Sequence, residues 1–297
     1  MLIKKLSWWD NLRYSLFRWS GFTVPVGEVV NCYKDRSTID SVLILNNTSV
    51  DWGAPNEKQS ALMDPARVGS DGVGSGTPMQ LGREQTRSVT WGSGYGRFNQ
   101  WLTDIPLPLV GNRYWITGYP VPSFDRRCIV MGPDGLVHEL IQFDQDAPVR
   151  DAGLPQQALN RGTWKDGVLV DGVSVSASGL PGHAYIWGRG SLEDPHVQSF
   201  TVEDYIDGDG TDEFEETYPN GPVCGSWFYL PTTSESYRKM VAKGGQCEAR
   251  AKALSTRGAR LVDRGGRTSF LTQAGTWARA TNINQFTINL NDLRLVV

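Results

Sequence analysis

The densest group of chemically capable side chains lies at 203–216, EDYIDGDGTDEFEE, where eight carboxylates occupy fourteen positions. Asp207, Asp209 and Asp212, interleaved with two glycines, are the candidate metal ligands, because hard oxygen donors on a flexible backbone suit calcium. The spacing departs from a helix–loop–helix calcium site. The third acidic position is shifted, Tyr218 stands where the bidentate Glu belongs, and no helical patterns flank the loop. Two such carboxylates are also the equipment of a glycosidase, one acid and one base or nucleophile, but no flanking motif selects a pair. Gly-x-Ser-x-Gly is absent, and the glycine run Gly69–Gly76 lacks the Gly-Lys-Ser/Thr of a phosphate loop. No catalytic residue is therefore assigned, and no cofactor is implied beyond the calcium candidate.

Aromatic rings are the second resource. The chain has 11 Trp, and 87–120 is its most aromatic stretch. Trp91, Tyr95, Trp101, Trp115 and Tyr119 sit there among glycines and prolines, a setting of exposed loops carrying flat rings. An aromatic face packs against the apolar C–H face of a sugar, so these five are candidate glycan platforms. Residues 179–190, GLPGHAYIWGRG, put His183, Tyr185 and Trp187 at period two. That places them on one face of a strand, either lining a site or forming an ordinary strand face, and Tyr185 and Trp187 join the glycan candidates.

The elements that must hold these residues are mostly strands. Gly and Pro are frequent, at 33 and 16, and alanine-rich helical stretches are few, the mark of an all-β chain with many turns. Cys128–Met131 and Leu136–Phe143 flank Gly132-Pro133-Asp134-Gly135, a hairpin in which Pro presets φ and Gly supplies positive φ. The stretch 144–163 reads as a polar connection. Trp164–Val175 reads as two strands about Asp171-Gly172. From Gly225–Leu230 the chain runs as a strand, through a polar loop, into a helix near 246–257 stopped by Gly258. Arg250 and Arg257 lie in its second half, where cations suit a helix. Ala259–Val262 and Thr268–Thr272 are expected to pair as a hairpin, and Leu293–Val297 as a closing strand. The expected domain is an antiparallel, jelly-roll-like β-sandwich with one C-terminal helix over 41–297, within the size range of single β domains.

Residues 1–40 are set apart as a docking segment. Trp8, Leu12, Leu16 and Trp19 fall on one helical face, packed on the chain's own domain, docked on a partner protein or, with its mildly basic polar face, laid on a membrane surface. Net charge is −3, which gives no electrostatic reason to expect nucleic acid. No run approaches the length of a membrane span, and the N-terminus lacks the apolar core and cleavage site of a secretory signal. Cys32, Cys128, Cys224 and Cys247 form no C-x-x-C pair, and with three histidines a zinc site is not indicated; the thiols read as buried and unbridged.

Four segments carry a family resemblance. Ile105–Val110 with Asn112–Trp115, Asp125–Leu140 (DRRCIVMGPDGLVHEL), Ser178-Gly179-Leu180-Pro181, and Gly225 through the helix to Gln273 are together similar to a β-rich family of secreted bacterial proteins, actinobacterial ones included. The match departs after Pro181, where that family has a second Leu-Pro and this chain has Gly182-His183-Ala184. With the missing signal and the Trp- and Gly-rich body, the whole chain resembles minor tail proteins of phages infecting actinobacteria. That resemblance implies a virion tail component assembled in the host cytoplasm in several copies. Other tail proteins would be its partners, and host cell-surface glycan a further contact. A cell-wall polysaccharide hydrolase and a purely architectural subunit are the alternatives.

Overall fold

A computed structural model describes residues 33–39, 49–50, 52, 61–63, 79–81, 87–91, 101–105, 109–110, 113–114, 128–132, 134–141, 149–150, 154–158, 160–188, 191–202, 222–264, 268–272 and 286–296. Trp8, Leu12, Leu16, Trp19, Tyr95, Trp115, Tyr119, Asp207, Asp209 and Asp212 lie outside these residues.

The described chain is β-rich. In order, the strands are β1 (Ala61–Met63), β2 (Met79–Leu81), β3 (Arg87–Trp91), β4 (Trp101–Ile105), β5 (Leu109–Val110), β6 (Arg113–Tyr114), β7 (Cys128–Met131), β8 (Val137–Ile141) and β9 (Val149–Arg150). Then follow β10 (Leu154–Ala158), β11 (Asn160–Lys165), β12 (Val168–Gly172), β13 (Gln198–Val202) and β14 (Trp227–Tyr229). Helices α1 (Glu235–Lys243) and α2 (Gly245–Thr256) precede β15 (Ala259–Arg264), β16 (Ser269–Phe270), β17 (Thr287–Asn289) and β18 (Arg294–Val296). Two larger sheets dominate. One has seven strands in the order β17-β1-β16-β13-β15-β14-β18, the other five in the order β12-β11-β8-β7-β2. Both are mixed: β13–β15, β1–β16 and β2–β7 are parallel pairs, and the remaining pairs in these two sheets are antiparallel. Among the described residues no helix is long and apolar enough to cross a membrane.

The expected β7–β8 hairpin forms, with Met131 opposite Val137 and Gly135 at φ 81. Three expectations change. The tight turn of the β11–β12 pair is at Asp166-Gly167, not Asp171-Gly172. Asp166 (φ 49) and Gly167 (φ 82) are both left-handed, the geometry that matches the twist of a two-residue hairpin. Second, β15 and β16 do not pair with each other. Strand β13 lies between them, parallel to β15 and antiparallel to β16. Its burial explains the insertion: Gln198, Ser199, Phe200 and Val202 are all buried, so both of its faces need cover that an edge position cannot give. Third, there are two helices rather than one. The expected polar loop contains α1. The Ser234 hydroxyl caps it by accepting from Tyr237 N–H, Glu235 and Lys239 pair at i,i+4, and Met240 faces the core.

The main core sits between the helices and the seven-stranded sheet. Trp52, Phe200, Phe228, Leu230, Met240, Cys247, Leu254, Leu261, Phe270 and Ile288 belong to it, and Trp52, Phe200 and Phe228 make close ring contacts. Cys247 is a buried thiol and Cys224 a half-buried one, with no disulfide between them. Residues 33–39 are fastened to this body. Ile39 is buried and donates its N–H to Thr256 O, Val197 N–H donates to Asp35 O, and Arg36 pairs with Asp194 at 2.7 Å.

Candidate functional site

The segment 180–188 is the centre of the described polar chemistry, and it is not the strand that its period-two pattern suggests. Pro181 leads into a 3-10 turn at Gly182–Ala184, and Trp187 makes a single parallel bridge to Thr272. His183, Tyr185 and Trp187 are 2 %, 4 % and 0 % exposed. Tyr185 and Trp187 are therefore not outward glycan platforms, because both rings are spent on internal packing.

Both larger sheets grip this segment. On the five-stranded side, Ile186 packs with Ile129, Met131, Val137 and Trp164. On the seven-stranded side, Ala184 and Tyr185 pack with Val197 and Val262. Its backbone is held from the same side: Trp187 N–H donates to Leu271 O, the Ser199 hydroxyl to Tyr185 O at 3.2 Å, and His196 Nε2–H to Ile186 O at 3.1 Å. From β8, Glu139 takes two donors on Oε1: the His183 backbone N–H at 2.5 Å and Nδ1–H of its ring at 2.8 Å. Glu139 is 0 % exposed. A Cβ at position 182 would stand 3.3 Å from Glu139 Oε1, so glycine there lets the carboxylate approach.

A histidine held through Nδ1 by a carboxylate presents Nε2 as a base or a ligand. Here Nε2 of His183, Oε2 of Glu139 and Nε1 of Trp164 are all buried with no hydrogen-bond partner among the described residues. Among the described residues no hydroxyl or thiol is placed on Nε2, and the pair acts there as a clasp between the seam segment and β8. The other histidines are also used internally. His138 bonds Thr163 at 3.1 Å, and His196 stacks on Trp187 with ring centroids 5.8 Å apart. Among the described residues no group of three or more His, Cys, Asp or Glu could hold a metal ion.

Arg250 completes the seam. It is fully buried, whereas its position in the helix suggested a solvated cation near the C-terminus. Its guanidinium carbon lies 4.5 Å from the Phe270 ring centre, 5.2 Å from Phe286 and 5.4 Å from Trp187. Nε donates to Gln198 Oε1 at 2.5 Å, and Gln198 returns a bond to Arg250 O at 3.3 Å. A guanidinium over aromatic faces in a desolvated site is favourable, so the aromatic box and the glutamine together make this burial tolerable. Helical spacing alone did not reveal it. The available signal was an arginine between Cys247, Ala251 and Leu254 on the inner stripe.

Two tyrosine and histidine protons follow from burial. Desolvation, with the Asp35 carboxylate next in importance, pushes the Tyr185 phenol up to about 12. Desolvation, with Lys34 next, pushes His196 down from 6.5 to about 4. His196 is thus neutral in the fold while the unfolded chain takes up its proton near pH 6.5. Stability from this site is fully present above that pH and is lost as pH falls from about 6.5 towards 4, by roughly 2–3 kcal/mol at pH 4.5. Urea unfolding at pH 7 and 4.5 checks this. His196→Gln, which keeps a donor for Ile186 O, is expected to shrink the pH difference by about 2 kcal/mol, and an unchanged difference would count against the assignment.

Among the described residues the exposed apolar side chains concentrate at one place. Val168 (64 % exposed), Leu169, Val170 and Val173 lie on or beside β12, the edge strand of the five-stranded sheet, and Tyr33 (43 % exposed) adjoins them. Tyr33 lies on the β11–β12 turn so closely that a Cβ on Gly167 would meet its ring at 2.6 Å. Of the aromatic candidates upstream, Trp91 and Trp101 are register partners at the ends of β3 and β4. Comparison of the chain with protein-family models, curated proteins and solved structures finds no match.

Proposed function

We propose that this chain is a structural minor tail protein of a phage particle, present in several copies, which docks on other tail proteins and contacts host cell-surface glycan. The observation that carries the assembly part is the apolar surface of β12 and Tyr33. Four aliphatic side chains and a tyrosine gathered at one sheet edge are a liability for a monomer in water and an asset for a subunit that buries them. Tyr33, the first described residue of the 1–40 segment, lies at this edge. In this reading the two larger sheets form the layers of a β-sandwich, jelly-roll-like in outline, with the 180–188 segment as filling between them. The parallel pairs make it mixed rather than purely antiparallel.

The double variant Val168→Asp/Val170→Asp tests the docking surface. Burying an aliphatic side chain stabilises a contact by about 1.5–3 kcal/mol, and about 1.4 kcal/mol is tenfold. Incorporation of the variant into particles is expected to fall at least about tenfold, with its melting temperature unchanged because both side chains already face water. Incorporation at the wild-type level would contradict the proposal.

A further inference from the structure

We propose that the cleft between α1 and the β17 edge of the seven-stranded sheet seats a neutral sugar unit. This rests on the reading that the chain contacts host glycan, and it moves that contact away from Tyr185 and Trp187. The cleft encloses ≈ 370 Å³, within the range of about 300–1,000 Å³ that small-ligand sites occupy. Met240 and Phe286, almost wholly buried, back the cleft and keep its walls in place, and Glu235, Lys239, Asn289 and Asp292 form its polar rim.

Three features of the lining select the ligand class. First, the charges cancel. Glu235 and Lys239 pair at 2.6 Å, and the lining holds Glu235 and Asp292 against Lys239 and Lys243, so its formal charges sum to zero and no strong net field draws in an anion or a cation. Second, the remaining hydrogen-bonding capacity is mixed. Asp292 Oδ2 accepts Ser236 N–H at 2.9 Å, which leaves Oδ1. Asn289 Oδ1 accepts Asn291 N–H at 2.9 Å, which leaves the two amide donors. Lys239 keeps further ammonium donors, and Glu235 keeps its second oxygen. A hydroxyl both donates and accepts, so neighbouring sugar hydroxyls satisfy this alternation. An apolar chain would strip water from four polar groups without replacing their bonds, and a phosphate would confront Glu235 and Asp292. Third, the walls are tied together. The Ser236 hydroxyl accepts Asn289 N–H at 3.0 Å while Asp292 holds Ser236 N–H, so little ordering is left to be done on binding.

The test is an NMR titration of the full chain with hexose, pentose and N-acetylhexosamine trisaccharides, run beside inorganic phosphate and purified host-wall polysaccharide. The expected result is a set of shifts centred on Lys239, Asn289 and Asp292 with at least one sugar. Asn289→Asp and Lys239→Met should each raise its Kd about tenfold without changing the melting temperature. Asn289→Asp keeps the oxygen that holds Asn291 N–H and removes only the donors. Sugar binding that maps elsewhere, or phosphate binding more tightly in the cleft than any sugar, overturns the cleft assignment and leaves the glycan reading standing. No response to any trisaccharide or to the wall polysaccharide overturns both.

Discussion

Glu139→Ala should lower the unfolding free energy by about 3–5 kcal/mol, the scale of leaving two buried donors without their acceptor. The carboxylate is 0 % exposed, and one of its oxygens holds both the backbone N–H and the ring N–H of His183. Alanine leaves two buried donors without an acceptor, each costing about 1–3 kcal/mol, and loosens the seam where both larger sheets meet residues 180–188. Glu139→Gln retains an acceptor oxygen and should cost roughly half as much. Urea unfolding with an unchanged m-value is the measurement. A loss below about 1 kcal/mol for the alanine variant would mean that the clasp does not hold the seam.

Gly258→Ala should be comparably damaging, at about 3 kcal/mol or more, for a reason confined to the backbone and one contact. Gly258 sits just past α2 at φ 77, where a left-handed residue with a Cβ costs about 1–2 kcal/mol. The added methyl would lie 2.2 Å from Phe228 O and 2.6 Å from Trp227 Nε1, which itself donates to Arg257 O. Relief requires β14 to move away from the start of β15, where Phe228 faces Ala259. Gly258 O also accepts Gln198 N–H, so the strain reaches β13. Gly244→Ala is the control: its φ is 69, but nothing stands within 4 Å of the added atom. At ψ −171 it occupies a backbone region nearly confined to glycine, so it should cost only that conformational part, about 1–3 kcal/mol. Equal losses in the two variants would show that the Phe228 contact is unimportant.

The parts of the fold legible in the amino-acid sequence are those set by neighbours in the chain. Gly132-Pro133-Asp134-Gly135 writes the β7–β8 turn, and Gly258 ends α2 where a positive φ is needed. The strand order around β13 was not legible, because two apolar runs joined by a short glycine turn look like a hairpin. Only the burial of Gln198, Ser199, Phe200 and Val202 together reveals a third strand between them. The α1 helix was hidden by its polar surface. Its cap at Ser234 and its single inward Met240 are weak signals without the core that they serve.

The site was harder to read. His183, Tyr185 and Trp187 alternate as strand residues do, yet Pro181 and Gly182 start a 3-10 turn, and all three side chains point into packing. Glu139, 44 residues from His183, carries no mark in the sequence of its partner. The clue was chemical: a carboxylate in the middle of the apolar strand Val137–Ile141 must be hydrogen-bonded or paired if it is buried. Arg250 follows the same rule from the other sign of charge. The cleft beside α1 combines residues from α1 with 286–292, and nothing in either stretch alone indicates a shared wall.

The most direct measurement is the protein composition of purified phage particles from a host that produces this chain. Quantitative peptide mass spectrometry should find the chain in the particle at a fixed small-integer ratio to the other tail proteins, retained through washing and density sedimentation. Its absence from particles, with the chain recovered only as a soluble species in the lysate, would contradict the account.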